Sequence, residues 1–135
     1  QLVAGVRSLL DRYEFVADTV DAIGDIVREG ESLLAAADPD GDPSAELIGE
    51  LGELMDINHG LLSALGVSSR SLDTMVWAAR EAGADGAKLT GAGGGGCIVA
   101  LDATAETETS LQYTPDCEQA FRAELATDGV RVEDE

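Results

Sequence analysis

Between Gly91 and Gly96 five of six residues are glycine, and the run is bordered by Lys88, Leu89 and Thr90 on one side and Cys97 on the other. Backbone this bare can take φ > 0 and come into contact with a ligand, at a cost in folding entropy. Successive backbone N–H groups of such a loop can converge on phosphate oxygens. Gly91, Ala92, Gly93, Gly94, Gly95 and Gly96 are therefore the candidate anion cradle. Lys88, the only lysine in the chain, stands just ahead of it. Its ammonium suits phosphate or acid pairing, but the alternation Lys88, Leu89, Thr90 equally suits a solvent-facing strand residue. The Thr90 hydroxyl at the loop rim can touch phosphate or cap the turn.

Two familiar phosphate motifs are excluded. Gly91, Gly93 and Gly96 satisfy G-x-G-x-x-G as a string, but the dinucleotide fingerprint needs a helix opening at its last glycine. Cys97 to Leu101 is instead a short apolar, partly β-branched run of strand type. A P-loop requires a lysine after the glycines, and the lysine here comes before them. An anion cradle held between two strands and a flexible hairpin turn both remain.

A second group of candidates lies upstream. Asn58 falls in phase with the apolar stripe Leu47, Leu51, Leu54, Leu61 and Leu65. An amide on such a face needs a hydrogen-bond partner, so it braces a turn or lines a cavity. His59 lies one step round the helix and is expected to be partly exposed. Ser68 and Ser69 follow Gly66, and either can cap the next helix. A lone histidine makes no metal site, and neither Cys97 nor Cys117 has metal-ligand neighbours. The 27 acidic residues read as solvated charge, and none is nominated as a catalytic or metal-binding residue.

These groups must be positioned by helices followed by a small sheet. Leu2, Val6, Leu9, Tyr13, Val16, Val20, Ile23 and Val27 step by three and four, which predicts one continuous helix. Asp38 to Pro43 is a loop, and Ser44 caps a second helix ending at Gly66. A third carries Leu72, Met75, Val76 and Ala79 inward and closes at Gly83. Strands are expected at 86–90 and 97–102, and a third at 107–113. A final helix is expected from Pro115 to Leu125, and a last strand at 130–132. The fold class is α+β, one domain over residues 1–135.

Charge narrows the partners. The net charge of −19 argues against nucleic acid and against an anionic membrane surface. Acid enrichment with arginine replacing lysine points to a halophilic, cytoplasmic protein, because concentrated salt screens the self-repulsion. Two cysteines are too few for a disulfide scaffold.

Asn58-His59-Gly60-Leu61-Leu62, then Leu65-Gly66-Val67-Ser68, then Gly86 through Cys97 closely resemble the mevalonate branch of the GHMP kinases. These are small-molecule kinases named for galactose, homoserine, mevalonate and phosphomevalonate. The glycine run resembles the superfamily's third motif, and the likeness is strong from about Leu47 to Leu101. It implies a ferredoxin-like C-terminal domain, ATP with Mg²⁺, and transfer of the γ-phosphoryl group to the 5-hydroxyl of mevalonate. It places Asn58, Ser68 and Ser69 near the acceptor pocket. The family's main ATP loop and catalytic residues belong to an N-terminal half not found in this sequence. The chain is therefore expected to be inactive alone and to need that half as its partner, with a homodimer also open. A haloarchaeal source would fit the composition. The alternatives are a sister kinase acting on phosphomevalonate, a freestanding metabolite-binding module, or an assembly module dimerising through the Leu2–Val27 stripe.

Overall fold

The structure is a computed structural model, and it describes residues 2–91 and 96–124. In chain order it has α1 (Leu2–Arg12), α2 (Phe15–Ala36), α3 (Ala45–Ala64), α4 (Arg70–Glu81), β1 (Gly86–Thr90), β2 (Cys97–Leu101) and α5 (Ala105–Gln112). The strands form an antiparallel hairpin, with Gly86 opposite Leu101 and Thr90 opposite Cys97. The expected α+β class holds.

The apolar core lies between α4 and one face of this hairpin. Leu72 and Met75 pack with Leu89, while Val76 and Ala79 pack with Ala87; Ile98 and Leu111 touch both groups. Residues 72, 75, 76 and 79 share one helix face, and 87 and 89 share one strand face. The two periodicities meet across a single interface. Ser69 caps α4 by accepting from the Leu72 N–H, and Ser44 caps α3 from the Leu47 N–H. Both helices end alike: Val67 bonds back to Leu62 and Ala84 to Ala79, with Gly66 and Gly83 at positive φ. That turn uses the left-handed region that glycine enters without strain.

Three expectations are corrected. The Leu2–Val27 helix breaks at Tyr13–Glu14, where Val16 and Ala17 bond three residues back to Tyr13 and Glu14. Glu14 keeps right-handed helical angles, so the apolar stripe stays in phase and the break leaves no mark in it. The third strand expected at 107–113 is helix α5. The Thr104 and Thr107 side chains form a reciprocal capping box, and local capping outweighs the β-leaning composition. Thr107 is also fully buried and donates to the Ala82 carbonyl, tying α5 to the end of α4. The helix expected from Pro115 is not formed over the described part: 115–116 is a turn and 117–124 has no regular element. The strand expected at 130–132 lies outside the described residues.

Candidate functional site

The site is built where α3 runs along the edge of β1. Gly52 of α3 meets Asp85 and Gly86 backbone to backbone. A Cβ on Gly52 would stand 2.1 Å from the Asp85 carbonyl oxygen, and one on Gly86 would stand 2.5 Å from the Gly52 Cα. No L side chain fits at either position, and this contact sets how close the helix lies. Gly52, Asp56 and His59 fall at i, i+4 and i+7, on one face of the helix. With the helix this close, their side chains reach the strand.

They take up the hydrogen bonds that a further strand would have made. Asp56 Oδ1 accepts from the Ala87 N–H at 3.0 Å, and Arg80 Nη2 donates to the Ala87 carbonyl at 3.1 Å. Arg80 Nε lies 2.8 Å from the same Asp56 oxygen but lacks hydrogen-bond alignment, so charge holds that contact. Two residues on, the Leu89 N–H donates to His59 Nδ1 at 3.0 Å, and Lys88 Nζ donates to the Leu89 carbonyl at 2.9 Å. Both edge residues are satisfied, which removes an exposed template for strand pairing.

His59 is 5% exposed, which corrects the expectation of a partly exposed side chain. Because Nδ1 accepts, the imidazole carries its proton on Nε2. Nε2–H donates to Asp73 Oδ1 at 2.8 Å, and the Ser68 hydroxyl donates to the same oxygen at 2.6 Å. Burial pushes the Asp73 carboxyl up, but the bonds from Ser68 and His59, with the charge of Arg80, outweigh it and hold the group below its ordinary value. The composition matches a serine-type triad, but the order does not. Here the carboxylate lies between serine and histidine, so the imidazole that activates serine in a triad does not face the Ser68 hydroxyl. The cluster holds elements together and does not create a nucleophile.

The other candidates fall into place around this seam. Ser69 is the cap of α4, which frees Ser68 for Asp73. Asn58 is buried, as its stripe implied. Lys88 is half-buried with its ammonium on Leu89, and burial lowers its pKa. Thr90 and Gly91 are exposed at the strand end, Gly91 at φ 75°, and the chain returns at exposed Gly96 and Cys97. Ala92, Gly93, Gly94 and Gly95 lie outside the described residues. Both cysteines are free. One signal of this face does stand in the sequence: a glycine, an acid and the single histidine fall at i, i+4 and i+7, on one side of the helix.

Comparison with known proteins gives a consistent picture. The chain is similar to the mevalonate kinase of Pyrococcus horikoshii, 42% identical over 99% of this chain and 39% of that protein. The mevalonate kinase of Aeropyrum pernix is 36% identical over 95% of this chain and 40% of its own length. The chain thus spans about two fifths of the curated relatives it matches. Among solved structures, L. major mevalonate kinase in complex with R-mevalonate superposes with a TM-score of 0.77 at 29% identity, over 90% of this chain and 36% of that one. The family model for the C-terminal part of GHMP kinases matches residues 44–112, from the cap of α3 to the end of α5. The seam, the hairpin and the ends of the glycine run all fall within that match, and the chain belongs to the GHMP kinase C-terminal family.

Proposed function

We propose that this chain supplies the C-terminal part of a mevalonate kinase, which moves the γ-phosphoryl group of ATP to the 5-hydroxyl of mevalonate. The observation that carries this reading is a glycine run that joins two paired strands and leaves from a strand end anchored by side chains. Phosphoryl transfer asks a protein for positioning and for neutralisation of phosphate charge. Backbone N–H groups at Gly91–Gly96 serve that need, and Thr90 stands at their rim. Asn58 and Ser68 belong to the acceptor side. The rest of the enzyme supplies the catalytic residues and most nucleotide contacts. It also covers the apolar surface left by exposed Val3, Phe15, Val27 and Leu34 on α1 and α2.

Mg²⁺ accompanies ATP and neutralises phosphate charge when bound. Among the described residues, no three His, Cys, Asp or Glu side chains gather to hold a metal. This chain's own share is to orient the loop and to keep its ends in register. None of the described helices is long and apolar enough to cross a membrane. We place the enzyme in the cytoplasm of a salt-loving organism on the strength of its charge.

The test is an assay of the whole enzyme in concentrated KCl with ATP and either mevalonate or phosphomevalonate. Turnover of mevalonate is expected; turnover of phosphomevalonate alone would make it the sister kinase, and turnover of neither would sink the proposal. In the active enzyme, Gly94→Val is expected to lower kcat by about a hundredfold, the scale set by small misplacements in an active site. Activity near that of the parent would reduce the loop to a turn.

A further inference from the structure

We infer that His59 is a positioning residue for this reaction: through Nδ1 it ties the end of β1 to α4 and to the turn carrying Ser68. The inference rests on the kinase reading above. Leu89 is the last residue of β1 whose side chain is buried; Thr90 and Gly91 beyond it are exposed. Whatever holds Leu89 therefore sets the point from which the glycine run leaves. Its apolar side chain, packed on Leu72 and Met75, fixes depth but gives little resistance to sliding along the edge. The N–H to Nδ1 bond is directional and supplies that resistance.

Three elements meet at this imidazole. It projects from α3, accepts from β1 at Leu89, and donates to Asp73 of α4, which also holds Ser68 of the preceding turn. The acceptor side and the phosphate side of the proposed cleft are thus joined through one buried ring. An apolar residue of the same size would leave the Leu89 N–H buried and unpaired, a costly state. Shifts of about 1 Å can cost roughly a hundredfold in rate, so a loosened tether registers in kcat before it registers in the fold.

Two substitutions separate the halves of the link. The Asn amide carries its polar atoms at the level of Nδ1, and the Gln amide at the level of Nε2. His59→Asn keeps an acceptor for Leu89, and His59→Gln keeps a donor for Asp73. In the whole enzyme in concentrated KCl, His59→Gln is expected to lower kcat about tenfold with KM for mevalonate little changed, and to speed hydrogen exchange in the β1 peptide. His59→Asn is expected to lower kcat only about threefold and to keep that protection, because it retains the bond to Leu89 and loses the one to Asp73. Equal kcat in the two variants would overturn the inference, as would a loss in His59→Gln that only tracks its unfolded fraction. Should both fail to fold, Asp73→Asn loosens the far end of the link and is expected to lower kcat about threefold; an unchanged kcat would overturn it equally. If the parent turns over no alcohol, the kinase reading fails and the catalytic role falls with it. The exchange comparison still decides whether the tether exists.

Discussion

Strand β1 is held in two different ways at once. Its face meets α4 through hydrocarbon, with Leu72, Met75, Val76 and Ala79 against Ala87 and Leu89. Its edge meets α3 through bare backbone at Gly52 and Gly86, then through Asp56 and His59. The apolar side is graded: each methylene contributes its share and neighbours can partly relax. The edge is closer to all-or-none, because a backbone contact cannot give way without moving the helix. Depth is set by one side of the strand and position along the edge by the other.

One small change on each side tests that difference. Gly52→Ala adds a single carbon 2.1 Å from a carbonyl oxygen and is expected to cost about 4 kcal/mol or more, among the largest single-site effects. Chemical denaturation of the whole enzyme would show it, and a cost under about 1 kcal/mol would erase the contrast. Leu72→Ala removes three carbons from the apolar side and is expected to cost about 3 kcal/mol. If it proved costlier than Gly52→Ala, the edge would not be the stricter side.

Smaller effects sharpen the comparison through pH. Asp73→Asn is expected to cost about 1 kcal/mol near neutrality, since the carboxylate is partly exposed and its bonds are screened. The folded carboxyl lies below its ordinary value, so its stabilisation is present above the unfolded value and disappears as pH falls through the folded one. Parent and variant should therefore converge below about pH 4; a constant gap there would place the cost outside ionisation. Lys88→Met should give the smallest change. Burial lowers the lysine's pKa, so the folded state binds fewer protons than the unfolded one just under the ordinary lysine range. The parent should gain stability relative to the variant as pH rises through that alkaline window. A parallel course for the two proteins would mean that the ammonium stays hydrated.

What the sequence made legible follows the same division. The cap at Ser44, a cap at Ser68 or Ser69, the inward face of α4, and strands at 86–90 and 97–102 all rest on local periodicity and capping; all are present, with Ser69 as the cap and the second strand ending at Leu101. The glycine run and its neighbours carried the family. The seam was harder to see, because Gly52 and Gly86 are separated by 34 positions and neither has a side chain to signal contact. His59 was misjudged because its ring fits no apolar pattern; its partners come from two other elements. The α1–α2 break escaped because the stripe runs through it in phase. Helix α5 was hidden by threonines, whose β-leaning average conceals a cap that only their positions 104 and 107 reveal.

The seam is also a matched pair of rulers. From Gly52 to His59 a helix climbs seven residues, about 10 Å at its usual rise, and from Gly86 to Leu89 a strand covers three residues, also about 10 Å. Two scales with different graduations coincide at both ends, with Asp56 and Ala87 between them. Lengthening or shortening either segment by one residue would destroy the coincidence, and no exchange of side chains would restore it. Over these two short stretches the chain has freedom in many of its letters and almost none in its length.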